Sequence, residues 1–384
     1  MPCINKNNLI YVLTYNANNP QVLNISNSTG VVAKWKIPQE FFYIQFSNDK
    51  SFKVFDINAL VPEKEFKEIK DPDSNIYLML DNGLEHFYSC ADTIYEDIVI
   101  KHSIPAHKII FLSAIPTMHD YIKKLSAKYN LPEIKLDWFS LFESTGKDTI
   151  LKSKNVLTLQ KKQKYERAYL NLNRRWRSHR TLMFTLLKDR NLLDRGYVSF
   201  APSDDGWNWN AAYNRLMDLY RDHDRIKPIL ERNKDVVHTP PLYLDTEDLV
   251  TNRAEHETSI NDYYARTYFS VINETTYHEE VPFFSEKIFK AIGIGHPFVI
   301  ATAPNSLKYL RELGYKTFHP FINESYDTID DHGDRMISIV NEIERLCKMD
   351  KNEFKSWRSN IEPIVKHNKM ILDNKKIITK PMNY

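Results

Sequence analysis

Residues Phe283–Phe318 read FFSEKIFKAIGIGHPFVIATAPNSLKYLRELGYKTF. Ser285 is placed to cap a helix whose first turn holds Glu286 and Lys287. Glycines and Pro297 stop that helix, "PFVIAT" reads as a buried strand, and "NSLKYLRELG" as a second helix. Helix, strand and helix in so short a span are the material of an α/β fold. Glu286 suits the positive end of the helix, whereas Lys287 does not. A lysine there makes physical sense where an anion docks against the helix start. The plain alternative is a side chain turned to solvent.

The alternation continues outward from this stretch. "YFSVINET" precedes it as a strand. Further upstream, "RAYLNL" and "YVSFAP" are strands on either side of a helix over "TLMFTLLKDRNLL", with "NRRWRSHR" as a loop. A helix near residues 210–221 stands in an otherwise irregular segment, 205–262. "KTF" reads as a short strand, and the tail as two or three closing helices. The first third repeats the theme. "LIYVLTYN", "YIQFS", "FKVFDI", "NIYLMLDN" and "KIIFLSA" are strand-like, while "ADTIYEDIVIKHSI" and "TMHDYIKKLSAKYN" have helical spacing. The polar, aperiodic stretch 145–165 marks a domain edge. It divides the chain into an N-terminal α/β domain, 1–150, and a C-terminal α/β domain with closing helices, 151–384. Ligands of open α/β sheets bind outside the carboxyl ends of the strands, and a cleft between two such domains is the default site.

Composition narrows the classes. The 384 residues are 42% hydrophobic and 27% charged, as in soluble globular proteins. There are 9 glycines and no GxGxxG or GxxxxGK[ST], so cofactor classes built on glycine-rich phosphate loops lose weight. A formal net charge of +2 does not make the whole molecule a polyanion binder. Cys3, Cys90 and Cys347 are too few and too scattered for a disulfide framework or a zinc site. Neither a signal peptide nor an apolar run of about 20 residues is read, so a cytoplasmic location without membrane insertion is expected.

Several constellations carry chemistry. Between Lys152 and Arg195 there are 13 Lys or Arg against 3 Asp or Glu. Within that segment Arg174, Arg177, His179 and Arg180 follow the strand "AYL". Guanidinium forks beside the N–H groups of a helix start suit a diphosphate. A solvated basic loop or a nucleic-acid contact is the alternative. In the first domain Asp81 and Glu85 lie at and beyond the carboxyl end of "NIYLML", where a carboxylate could take a proton from an acceptor hydroxyl. A simple Asp-Asn-Gly turn accounts for the same residues, and His119 is a weaker rival for the base. Of two Asp-x-Asp pairs, Asp71/Asp73 lies in a polar turn before a strand and Asp222/Asp224 in a helix-end charge cluster; neither ends an apolar strand, and both read as structural. Trp207 and Trp209 could flank a base or sugar ring, or pack in a core.

The segment "INET", then "SEK", then "HPFVI" resembles the nucleotide-sugar-binding segment of the α1,3-fucosyltransferase family, over about residues 268–300. The pattern "NRRWRSHR", "SEKIFK" and "LRELGYKTF" is similar to glycosyltransferase-like proteins of phages and large DNA viruses, over most of residues 165–345. The resemblance implies a GT-B architecture: two Rossmann-like domains facing a central cleft, with the donor in the second. It implies that Lys287 contacts the diphosphate, that Glu286 orients a ribose or sugar hydroxyl, and that Arg174 or Arg177 joins them. Asn273 and Glu274 stand where the family has Glu then Asn, shifted or exchanged. The activity so implied is transfer of a sugar from a nucleoside diphosphate to a hydroxyl of a glycan or of a hydroxymethylated base in phage DNA. Inversion is implied by the fucosyltransferase likeness. Several cations can neutralise a diphosphate without a metal, so no metal and no cofactor beyond the nucleotide sugar is expected. In a viral protein the compartment would be the host cytoplasm. The rival function is a non-catalytic nucleic-acid-binding protein using the arginine-rich loop.

Overall fold

The computed structural model of the protein describes residues 10–11, 42–45, 63–74, 77–82, 91–92, 94–138, 142–143, 164–173, 177–200, 209–238, 242, 244, 262–279 and 282–374. The chain divides into two compact units, one of Met1–Ser144 with Lys375–Tyr384 and one of Thr145–Asn374.

The first unit holds a parallel sheet of β1 (Ile10–Tyr11), β2 (Phe42–Gln45), β3 (Tyr77–Asn82), β4 (Ile109–Ser113) and β5 (Lys135–Trp138). β3 pairs with β4, β1 and β2, and β4 with β5. Among the described residues it is accompanied by α1 (Glu63–Lys70), α2 (Ile94–Lys101) and α3 (Met118–Tyr129). Asn130 takes the left-handed conformation that closes α3. α2 is wound wider than an α-helix, and the His102 N–H just beyond it reaches back five residues to the Asp97 carbonyl. Two elements escape the sequence pattern. β5 reads "KLDW", with charged residues interrupting its apolar ones. α1 has Phe66 and Ile69 as its buried apolar pair, too few for a clear period. The expected strand "FKVFDI" lies outside the described residues.

The second unit holds β6 (Arg167–Asn171), β7 (Gly196–Val198), β8 (Thr267–Asn273) and β9 (Phe298–Ala301) in the order β7-β6-β8-β9. Every pairing is parallel. The chain leaves β6 to place β7 on one side, then returns to place β8 on the other. The point where sheet growth reverses is therefore between β6 and β8, and a parallel α/β sheet opens a crevice at such a point. Around the sheet run α4 (Ser178–Asp189), α5 (Trp209–Leu219), α6 (Lys227–Arg232), α7 (Glu286–Ile294), α8 (Ser306–Glu312), α9 (His332–Cys347) and α10 (Lys351–Asn374). α4 is buried continuously from His179 to Leu187, its polar first turn included, which is wider burial than a single apolar stripe gives. Tyr268 of β8 is sandwiched between Tyr165 and Phe354 of α10, with both ring pairs 4.0 Å apart.

Three readings change. Ser178, His179 and Arg180 open α4 instead of lying in a loop. α6 is a further short helix that the irregular segment concealed. "KTF" forms no strand, because side chains take its backbone groups. Asn368 accepts from the Lys316 N–H at 2.7 Å and donates to its carbonyl at 2.8 Å, and Glu324 accepts from the Phe318 N–H at 2.6 Å.

Gly196 begins β7 against the ring of Tyr169, where an added Cβ would lie 2.4 Å from ring atoms. The ring cannot yield cheaply, since Tyr169 is fully buried and its hydroxyl donates to the Leu192 carbonyl at 3.0 Å. Gly196→Ala is therefore expected to cost about 1–3 kcal/mol. Urea unfolding should register it as a lower midpoint with an unchanged slope.

Candidate functional site

The strands that meet at the switch point both end in asparagine. Asn171 closes β6, Asn273 closes β8, and Asn173 follows two residues after β6; all three are buried. Their amides are joined in series. Asn171 Nδ2 donates to the Val271 carbonyl at 2.7 Å, Asn173 Nδ2 to Asn171 Oδ1 at 2.6 Å, and Asn273 Nδ2 to Asn173 Oδ1 at 2.9 Å. Asn173 is held further by Ser199, whose hydroxyl accepts from its N–H at 2.9 Å. Sequence reasoning passed over Asn171 and Asn173. Their signal is a polar amide placed where an apolar strand stops, in "AYLNLN" as in "SVIN".

Glu274, one residue beyond β8, is fully buried. Its carboxylate accepts from the Ser285 hydroxyl at 2.6 Å, the Ser285 N–H at 3.2 Å and the Thr275 N–H at 3.1 Å. Ser285 is also the N-cap of α7, accepting from the Lys287 N–H at 3.4 Å. Lys287 Nζ donates to Ser285 Oγ at 2.9 Å and to Glu286 Oε1 at 3.0 Å. Within this cluster Glu286 and Lys287 are the pair that reaches outward, with side chains 17% and 27% exposed. Burial pushes the Glu286 carboxyl up, but the Lys287 ammonium more than offsets this and holds it down at about 2. The Glu274 carboxyl is raised by burial, against the pull of Lys287.

His179 joins α4 to this cluster. Its Nε2–H donates to the Glu274 carbonyl at 2.9 Å, and its ring stacks on Tyr277 at 5.3 Å. Burial, together with the charges of Arg180, His278 and Arg177, pushes its pKa well below the ordinary histidine value. It is thus a neutral, oriented ring and not a cation for phosphate. Arg180, one residue on, is buried. Arg177 is the partly exposed N-cap residue of α4. Arg174 lies outside the described residues.

In the first unit Asp81 is the penultimate residue of β3, in register with Leu112 of β4 and Gln45 of β2. Glu85 lies outside the described residues. His119 is exposed in the first turn of α3. Asp71 and Asp73 form an exposed turn in which Asp71 Oδ1 accepts from the Asp73 N–H at 3.0 Å. They also serve as counter-charges to buried Lys108, whose pKa is lowered by burial and raised by both carboxylates. Trp209 opens α5, and Trp207 lies outside the described residues.

Among the described residues His223, Asp331 and Asp334 bring ligand-type atoms within 4.8 Å of one another. Their hydrogen bonds do not suit a metal. His223 Nδ1 accepts from the N–H groups of Arg225 at 3.3 Å and Ile226 at 3.2 Å, so the ring proton sits on Nε2 and points at Asp331 Oδ1, 3.0 Å away. The same oxygen caps α9 by accepting from the Asp334 N–H at 2.7 Å, and Asp334 pairs with Arg225 at 2.8 Å. The group is a helix cap with its counter-ion. Cys347 is buried, and burial pushes its thiol up to about 12, far from a reactive thiolate.

Among the described residues of the second unit four imidazoles are held neutral, each chiefly by burial: His179, His278 at about 4, His296 at about 3, and His332. The unfolded chain binds these protons near pH 6.5 and the folded chain refuses them. Stability should hold above that pH and fall as the pH drops from about 6.5 toward 4, by up to about 1.4 kcal/mol per pH unit for each histidine. His296 donates to the Thr267 carbonyl at 2.9 Å and lies 2.7 Å from Ser270 Oγ. His296→Gln keeps an N–H for the Thr267 carbonyl without a titratable ring, so its denaturation midpoints between pH 7 and 4 should decline less steeply than those of the native chain.

No family model matches the chain, and no curated protein matches it in sequence. Among solved structures it is similar to a chain in the crystal structure of a GtfA/B complex. The likeness is 11% in identity with a TM-score of 0.39, over 82% of this chain and 52% of that one, so this chain spans about half that length. It is also similar to an α,α-trehalose-phosphate synthase (UDP-forming) from Burkholderia vietnamiensis, at 10% identity and a TM-score of 0.33, over 78% of this chain and 71% of that one. Likenesses this faint carry no weight for activity. The α/β class rests on strand order and register, and the site on its own geometry.

Proposed function

We propose that the chain is a nucleotide-sugar-dependent glycosyltransferase of GT-B-like arrangement. The second unit holds the nucleoside diphosphate sugar, and the first supplies the base for the acceptor hydroxyl. The observation that carries this reading is the Glu286–Lys287 pair, partly exposed at the start of α7 and tied through Ser285 and Glu274 to the carboxyl end of β8 at the switch point. Such a place offers an ammonium and helix N–H groups to a diphosphate, and a carboxylate to a ribose or sugar hydroxyl. Lys287 pairs with Glu286, so docking of a diphosphate exchanges that partner for phosphate and frees Glu286 to accept from a hydroxyl.

The reaction is a direct displacement. The acceptor oxygen forms a bond to the anomeric carbon as the bond from that carbon to the diphosphate oxygen breaks. The acceptor proton passes to Asp81, with Glu85 as the second candidate, and the configuration inverts. Lys287 and Arg177, joined by Arg174, stabilise the departing diphosphate without a metal. The acceptor is a glycan or a hydroxymethylated base in phage DNA, reached in the cytoplasm; no described helix is long and apolar enough to cross a membrane. The rival, a nucleic-acid-binding protein without catalysis, is disfavoured by the burial of Arg180 and by the burial and neutrality of His179. Neither offers a charge to a phosphate backbone.

Thermal unfolding with GDP, UDP, CDP and dTDP in turn tests the donor, since a ligand of the native state raises the midpoint. At least one should do so, and no shift with any of the four would overturn the proposal. Lys287→Ala should leave the fold intact and weaken the nucleotide that binds by about 1.5–3 kcal/mol, measured by calorimetry. Asp81→Asn and Glu85→Gln address the base. The true base should lose roughly 10²–10⁴-fold in turnover while donor affinity holds. Loss of donor affinity instead would place the nucleotide in the first unit.

A further inference from the structure

The amide series at the switch point has a direction. A backbone carbonyl only accepts, so the bond from Asn171 to the Val271 carbonyl fixes which end of the Asn171 amide is nitrogen. Its oxygen must then face Asn173. The Asn173 nitrogen is fixed a second time by the Ser199 carbonyl, 3.3 Å away. The Asn173 oxygen therefore faces Asn273, whose own nitrogen must meet it. Turning the Asn273 amide over would set two carbonyl oxygens 2.9 Å apart. Three amides anchored on the backbone of β8 thus decide that Asn273 presents an oxygen at its far side. That oxygen is buried, on a residue 1% exposed, and has no hydrogen-bond partner among the described residues. Buried polar atoms are rarely left so, and an exception at the carboxyl end of a switch-point strand calls for a ligand group.

We infer that Asn273 Oδ1 is a fixed acceptor for a hydroxyl of the bound nucleotide sugar, and that Asn171 and Asn173 are positioning residues that deny the site the opposite polarity. The inference rests on the nucleotide-sugar reading above and deepens it. A rotatable serine or an unanchored amide would tolerate either a donor or an acceptor on the ligand. This anchored one takes only an O–H or N–H, and a ligand lacking that hydrogen leaves the oxygen unpaired inside the protein. Sites built in this way reject the analogue far more strongly than apolar pockets reject a missing methylene. The shared chemistry is a sugar hydroxyl, which either the ribose or the transferred sugar can supply.

Calorimetric affinities for matched ligand pairs decide the matter. One arm compares GDP, UDP or CDP, whichever binds, with its 2′-deoxy form. The other compares the nucleotide sugar that is turned over with analogues deoxygenated at single sugar positions. The native chain should prefer the hydroxylated member of one pair by about 10- to 100-fold. The arm in which this occurs names the source. In Asn273→Ala the preference should collapse toward unity while the deoxy ligand binds about as before. Asn171→Ala, which touches no ligand, should reduce the same preference by releasing the amide series. It also carries the test if Asn273→Ala fails to fold. Nucleotide binding with a preference unchanged in the variants, or absent in the native chain, overturns this inference alone. Failure of every nucleotide to bind the native chain overturns the nucleotide-sugar reading and this inference with it.

Discussion

A buried carboxylate at the end of β8 is the junction of the second unit. Glu274 receives Ser285 through both hydroxyl and N–H, and its own carbonyl receives the His179 ring. Through these bonds the end of β8, the cap of α7 and the first turn of α4 have one fixed spacing. A carboxylate in such a position is costly unless its lone pairs are met, and here three donors meet them. Ser285 then serves two helical tasks at once. Its hydroxyl proton goes to Glu274, which leaves its oxygen free to accept from the N–H and the ammonium of Lys287. The orientation of the outward-facing pair is thus set from the interior.

Charge is sorted by depth around this junction. Inside, with the Glu274 carboxylate and the Arg180 guanidinium, are neutral imidazoles, amides and hydroxyls. Arg335, a further buried cation, is met by dipoles: its guanidinium donates to the carbonyls of Ile329 at 2.6 Å, Asp330 at 3.0 Å and Tyr277 at 2.6 Å, and lies 4.6 Å from the centre of the Tyr277 ring. This fixes the backbone after β8 against the start of α9. A positive charge so enclosed exerts little pull on a ligand, whereas Lys287 has a carboxylate it can exchange. The number of basic residues in the sequence is therefore a poor guide to the anion-binding capacity of the fold.

The alternation of strands and helices in the second unit was legible because β6, β8 and β9 are buried on both faces and their sequences are short apolar runs with clear punctuation. The α7 cap was legible for the same local reason, a serine ahead of Glu-Lys and an apolar period. What could not be read depended on residues distant in the chain. Nothing near "KTF" announces that Asn368 and Glu324 will take its amides. Nothing in "NLN" says that its two asparagines will be joined to a third from β8. The basic run after β6 was overread, since the first turn of α4 draws His179 and Arg180 into the interior, where local composition would place them in solvent.

The parallel pairing of β6 with β8 joins residues 100 positions apart, as Tyr169 with Phe269. At a synthesis rate of about 5–20 residues per second, roughly 5–20 s pass between the appearance of one strand and of its partner. During that interval β6 has at most β7, three residues long, beside it. The opposite edge of β6 then has its backbone N–H and C=O groups unpaired, a surface open to any strand at hand. The switch point at the ends of β6 and β8 is thus also a seam that the nascent chain can close only late, once about 100 further residues have been made.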